Sequence, residues 1–277
     1  MDSRINNKNE CFNSVVRPIK RFKSLTHCYY LGERNRKNFM YKYMDIETAI
    51  RCLKDSNIRF VEPTEWQDQY EGRFYTASYK KITQNSKDVP KLYACCFTFN
   101  NASEAAWKTY SYQKTGLAAR CVQFRIRKRL FREALDKYAD MHDCTIYEGA
   151  INYELDDYQI NHLHFSNYEG YDKVFNSSFG RSHYLSLLLL KRPAFYYENE
   201  FRYFIVPKNE TVNKQIFPTI RWADIVDQIK VDSACTEIEL EILTKYLKEY
   251  DIDIEPEPLN LYSNPDETIT IGDVEKR

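Results

Sequence analysis

The spacing of apolar residues along this chain switches between a period of two and a period near four, which outlines alternating strands and helices. Residues 39–43 (FMYKY) read as a short aromatic strand. From Asp45 onward, Ile46, Ala49, Ile50 and Leu53 recur at helical spacing, with Asp45 as N-cap. Ser56 and Asn57 end that helix, and residues 58–61 (IRFV) form a second strand before Pro63. Residues 92–99 (LYACCFTF) predict another strand, and Ser103 caps a short helix carrying Trp107 and Tyr110. Thr115 and Gly116 turn the chain into a strand over 117–124, followed by a basic helix with Leu130, Phe131, Ala134, Leu135 and Tyr138 on its inner face. Strand-like pieces follow at 145–147 and 151–153, then a helix through 184–190 and a strand over 201–206. Near the end, 225–231 is strand-like. Thr236 and Glu239 form a capping box before a stripe of Ile238, Ile242, Leu243, Tyr246 and Leu247, and 252–254 is a last short strand.

No repeat and no Pro/Gly/Ser linker divides the 277 residues, so the pattern predicts a single α+β domain over 38–263. Its sheet is expected to be mixed, mostly antiparallel and flanked by helices. Residues 1–37 are polar and weakly periodic and read as an extension; 264–277 read as a tail. Hydrophobic residues make up 43%, enough to fill a sizeable core. Forty Lys and Arg balance forty Asp and Glu, which argues against broad nucleic-acid binding. The tract 125–132 (RIRKRLFR) is the best local exception, although a solvated helix face accounts for it as well. Seven glycines and no phosphate-loop or dinucleotide fingerprint mean that any nucleotide would be held by side chains, for which 23 tyrosines and 16 phenylalanines offer faces. The eight cysteines show no C-x-x-C spacing, as expected of buried thiols in a reducing compartment. With no signal peptide and no apolar run of membrane length, the expected location is the cytoplasm, with no membrane partner.

Chemistry concentrates in residues 191–204 (KRPAFYYENEFRYF). If this stretch is extended, alternation puts Glu198, Glu200 and Arg202 in one row. A surface ion-pair row would look the same. A fixed carboxylate also stabilises the positive charge that develops on ribose when a bond to nicotinamide breaks, and a second can orient or deprotonate the nucleophile. Aromatic faces and cations would hold the rest of the substrate, without a metal. On the first strand, Tyr41 and Tyr43 share a face and Lys42 opposes them, so only one side is expected to line a site.

An ordered series of short motifs resembles a bacterial domain-of-unknown-function family, numbered 2971. It runs through Tyr41-Lys42-Tyr43, Arg59-Phe60 before Pro63, Trp66 to Glu71, Cys96-Phe97-Thr98 and Trp107 to Tyr110. Gly116, Lys191 and Glu198-Asn199-Glu200-Phe201-Arg202 complete it. Gln67, Gln69 and Val61 depart from the family's Asn, Pro and Ser/Thr. Its early strand–helix–strand and late E-x-E look like an ADP-ribosyltransferase layout. The resemblance implies an NAD-consuming transferase or glycohydrolase, with NAD as substrate and an unspecified acceptor, acting as a toxin or defence effector. It assigns Glu200 the catalytic role, Glu198 the accessory one, and Lys42 or Tyr43 the first-strand grip. Tyr41, Arg59, Asp68, Glu71, Trp107, Tyr110 and Arg202 are the remaining candidates for holding substrate.

Two other classes stay open: a binding module that senses a nucleotide or a partner protein through its aromatic surface, and a nuclease using Glu198, Glu200, Lys191 and Arg202. His162 and His164, with Asp156 or Asp157, lack the further ligands a metal site needs.

Overall fold

A computed structural model of the chain describes residues 16–66, 68, 70–72, 75, 91–111, 120–161, 178–209 and 212–259. The strands are β1 (Ile19–Arg21), β2 (Cys28–Leu31), β3 (Phe39–Asp45), β4 (Phe60–Val61), β5 (Tyr93–Thr98), β6 (Cys121–Arg127), β7 (Cys144–Ala150), β8 (Glu200–Pro207), β9 (Gln215–Ile216), β10 (Val226–Val231) and β11 (Glu257–Pro258). The helices are α1 (Ile46–Lys54), α2 (Glu104–Ser111), α3 (Lys128–His142), α4 (Asp157–Asn161), α5 (Ser178–Leu187), α6 (Trp222–Ile225) and α7 (Glu237–Glu249). The strands form one open sheet in the order β1-β2-β7-β8-β5-β3-β6-β10-β11, with β4 and β9 branching from β5. Pairing is antiparallel except for β2–β7 and β10–β11. This is an α+β architecture.

Alternation along β8 shows how the sheet divides its two cores. Phe201, Tyr203 and Ile205 pack with Phe131 and Leu135 of α3 and with α1, α6 and α7 on one face. Phe204 points the other way, into a cluster with Leu185 of α5 and with Leu188 and Leu189. Burying a side chain of this size contributes roughly 1.5–3 kcal/mol, so the two-sided packing of β8 makes it the spine of the fold. A smaller cluster of Tyr43, Trp107, Cys121 and Leu259 lets α2 sit over one end of β3.

Local signals set most element ends. The Asp45 carboxylate accepts from Thr48 N at 2.7 Å and starts α1. At α7, Thr236 and Glu239 form the full reciprocal capping box.

The sheet forks at β5. Its edge away from β8 is met by β3 only at Tyr41↔Thr98 and by β4 only at Val61↔Ala94. Between those points Lys42 reaches across and donates from Nζ to the Cys96 carbonyl at 2.7 Å. A lysine thus supplies a donor where the β3–β5 ladder gives out.

Several expectations change. Part of the extension belongs to the sheet, because β1 and β2 bury Cys28 and Leu31 and β2 pairs with β7. A three-residue strand, and a four-residue one whose partner β7 lies over a hundred positions away, leave almost no local pattern. The basic tract is split: Arg125 and Arg127 lie in β6, and α3 begins only at Lys128. Residues 252–254 are not a strand; β11 follows at Glu257–Pro258. The expected piece at 151–153 is reduced to an isolated bridge between Asn152 and Leu190. The turn at Thr115 and Gly116 and the tail beyond 259 lie outside the described residues.

Candidate functional site

The segment 191–202 builds the site by breaking extended structure. Pro193 opens a 3-10 turn, Pro193–Glu198, which suits a residue with fixed φ and no N–H to donate. Asn199 then adopts a left-handed conformation, φ 44°, which Asn tolerates better than most residues, and β8 begins at Glu200. Glu198 and Glu200 are therefore not strand neighbours two apart, as expected. They converge because the Lys191 ammonium holds both. Only Glu200 and Arg202 keep the row relationship that alternation predicts.

Around Lys191 and Arg202 lies a nearly closed ion cluster. The Arg202 guanidinium grips Glu200 through Nε–Oε1 at 2.7 Å and Nη2–Oε2 at 3.0 Å, and also binds Glu71. Its Nη1 donates to the Leu188 carbonyl at 2.7 Å, and the Trp66 ring lies 4.3 Å away. Lys191 Nζ sits 3.0 Å from Glu71 and 3.1 Å from Glu200, and it also binds Glu198. Arg202, Glu71, Glu200 and Lys191 are buried, whereas the Glu198 side chain is 29% exposed.

The two glutamates differ in acidity. Burial alone would raise the Glu200 carboxyl, but Arg202 and Lys191 overcome it and hold the group down at about 2. For Glu198 burial wins over its bond to Lys191, and the carboxyl lies above the usual range. One carboxylate stays charged and the other is tuned towards exchanging a proton.

These groups open into a cleft of about 360 Å³ at the fork in the sheet, within the range of small-molecule sites. Trp66, Phe195, Tyr197, Tyr41, Tyr43 and Phe97 form its aromatic walls. Lys42 and Phe97 line it together with Tyr41 and Tyr43, so both faces of β3 contribute. Only one face was expected to contribute; β3 and β5 pair only at Tyr41↔Thr98, and Lys42 comes to the cleft beside that gap. The Cys96 thiol, also in the lining, is pushed well up by burial and by Glu200, which keeps it protonated and a poor nucleophile. The Tyr153 hydroxyl accepts from Glu200 N at 3.0 Å and pins the start of β8.

Of the residues singled out in the sequence, Tyr41, Lys42, Tyr43, Asp68, Glu71, Glu198, Glu200 and Arg202 all line the cleft. Asp68 also orders its loop, accepting from Tyr70 N at 2.8 Å and pairing with Arg192 at 3.1 Å. Trp107 lies behind the wall, buried edge-on against Tyr43 at 5.2 Å, so its role is packing. Arg59 is exposed and lies outside the cleft lining. The Tyr110 side chain, His162 and His164 fall outside the described residues, while Asp156 caps α4 through Gln159 N. Sequence reasoning passed over Trp66, Phe195, Tyr197 and Thr98 as lining residues. All four sat inside segments already noted, but only the 3-10 turn, the Arg202–Trp66 contact and the β5–β8 register show where they point.

No family model, no curated protein and no solved structure matches this chain.

Proposed function

We propose that the cleft binds NAD and breaks its bond to nicotinamide, passing ADP-ribose to water or to an acceptor in the manner of an ADP-ribosyltransferase. The observation that carries this reading is the charge balance of an aromatic-walled cleft. Among the described residues, four carboxylates (Asp68, Glu71, Glu198, Glu200) line it against three cations (Lys42, Lys191, Arg202). An acidic excess between aromatic faces suits the pyridinium ring of NAD, and it suits the positive charge that forms on the ribose as the bond breaks.

In this reading the roles follow from the two environments. Glu200, ionised and fixed by Arg202, supplies constant negative charge near the ribose. The ribose–nicotinamide bond breaks with its electron pair going to the ring nitrogen, which leaves nicotinamide neutral. The incoming oxygen bonds to the ribose carbon and gives its proton to Glu198, the half-buried carboxylate with the raised pKa. The motif series that resembles the bacterial family supports the same assignment. Loss of NAD in the host cell suits a toxin or defence effector.

A second reading is favoured by one feature: Arg202 and Lys191 already occupy both oxygens of Glu200. A carboxylate so engaged can serve a binding module that senses a nucleotide without cleaving it. A fluorescent etheno-NAD assay with and without cell lysate separates the two. Turnover by the wild type that falls by about 10²–10⁴-fold in Glu198→Gln, at unchanged nucleotide affinity, is the expected result. Tight binding with no turnover in either condition would leave the sensor reading standing.

A further inference from the structure

We propose that the face of β3, β6 and β10 that carries Tyr41, Arg125 and Gln228 is a docking platform for single-stranded nucleic acid. This rests on a surface outside the ion cluster and stands whether or not NAD is the cleft's substrate. Residues directly opposite each other in an antiparallel pair share a face. Tyr41 lines the cleft and pairs with Arg125; Phe39, two residues earlier, pairs with Arg127. On the next strand Gln228 pairs with Arg125, and Lys230 lies one pair further along on the same face. Phe39, Tyr41, Arg125, Gln228 and Lys230 are half-buried and Arg127 is exposed, so the row is open to a ligand. At its far end α2 covers Tyr43, which takes the Gln123 amide at 2.6 Å.

The chemistry of this row differs from that of the cleft. A register shift between Val226 and Gln228 sets Asp227 between the two arginines. Arg125 Nε donates to its carboxylate at 2.6 Å and Arg127 Nη2 at 3.0 Å. That bridge orients two guanidinium groups side by side, and Arg125 also lies 4.9 Å from the centre of the Phe39 ring. Each planar guanidinium keeps further N–H donors for phosphate oxygens. Among the described residues and counting Lys230, three cations face two carboxylates, Asp227 and Glu257, the latter bound to Gln228 at 2.8 Å. The platform is thus positive by one charge where the cleft is negative by one.

Phe39 and Tyr41 stand about 7 Å apart along the strand, a spacing over which successive unpaired bases can lie on rings while the phosphates follow the arginines. Bases in a duplex are stacked on each other and cannot use the rings, so the platform selects single strands.

Fluorescence anisotropy on the full chain tests this, with a labelled thymidine decamer, the corresponding duplex and inorganic polyphosphate as probes. We expect the decamer to bind in the micromolar range, with a log–log salt slope of about −2 from three phosphate-facing cations. Arg127→Glu should weaken it at least tenfold. Phe39→Ala should weaken the decamer about tenfold and leave polyphosphate unchanged. Failure of the wild type to bind the decamer at low salt overturns the proposal, as does duplex binding of equal strength. Unaltered decamer binding by Arg127→Glu, a surface change whose fold a thermal melt checks, overturns it too.

Discussion

Two buried ion clusters lie back to back on the strand pair β7–β8, and they differ in the sign of their imbalance and in their access to solvent. Arg202 anchors the cleft cluster. Its chain neighbour Tyr203 points to the opposite face, and directly across from Tyr203 stands Glu148. Arg132 grips Glu148 with two bonds, 2.7 and 2.9 Å, and Lys128 lies 3.3 Å away. All three side chains are sealed, at 2–6% exposure. This second cluster has two cations and one carboxylate, with Lys128 also lying 4.0 Å from the Phe201 ring centre. The cleft cluster has two cations and three carboxylates and opens to solvent at Glu198. A sealed cluster can only fix α3 on the sheet. An open one with surplus carboxylate can meet a ligand, and that difference makes the cleft face the candidate for the proposed chemistry.

The sharpest way to break this comparison is to remove one lysine from each cluster. Lys191→Met leaves Glu71 and Glu200 sharing Arg202 in a buried site and takes from Glu198 the ammonium that binds it. Taking one partner from a buried pair typically costs about 3–5 kcal/mol, so urea unfolding should show a loss of that size. A loss near zero would mean that the carboxylates are better solvated than their burial implies, and the cleft cluster would no longer differ from a surface network.

Part of the cleft's lining is legible in the sequence. Glu200 and Arg202 follow from alternation, and Tyr41, Tyr43, Asp68 and Glu71 from motif order. What escaped was geometry set by single backbone events. The left-handed Asn199 takes Glu198 out of the strand row, and Lys191 then reunites it with Glu200. Strand pairing with β2 could not be read, because a run as short as Cys28–Leu31 with a distant partner carries no periodic signal. The basic tract was ambiguous because Arg125, Ile126 and Arg127 fit a strand as well as a helix start. The sealed cluster left no trace at all, since Lys128 and Arg132 read as exposed charges until α3 packs them against β7.

Acid offers a second, slightly smaller test. The Glu200 carboxyl is held at about 2 in the folded chain, against roughly 4.3 when unfolded. The unfolded state therefore binds the proton first as pH falls. The stabilisation is complete above about pH 4.5 and is lost progressively towards pH 2, on the order of 3 kcal/mol in all. Unfolding free energies measured across that window should fall less steeply in Glu200→Gln than in the wild type. Parallel slopes would show that Glu200 is not the acid-sensitive partner of Arg202 and Lys191.

The smallest effect is the most discriminating. Burial, with repulsion from the Arg132 guanidinium, lowers the Lys128 ammonium to about 8 against the opposing pull of Glu148. Lys128→Met keeps the Arg132–Glu148 pair and removes the charge that fits least well. Stability near neutral pH should then change by no more than about 1 kcal/mol, and an increase is as acceptable as a decrease. The wild type should gain stability as pH rises from about 8 towards 10, since its folded lysine loses its proton before the unfolded one does. The methionine variant should lack that rise. If Lys128→Met instead costs as much as Lys191→Met, the surplus cation is structural after all. The contrast between the two faces would then rest on exposure alone, with the sign of the charge playing no part.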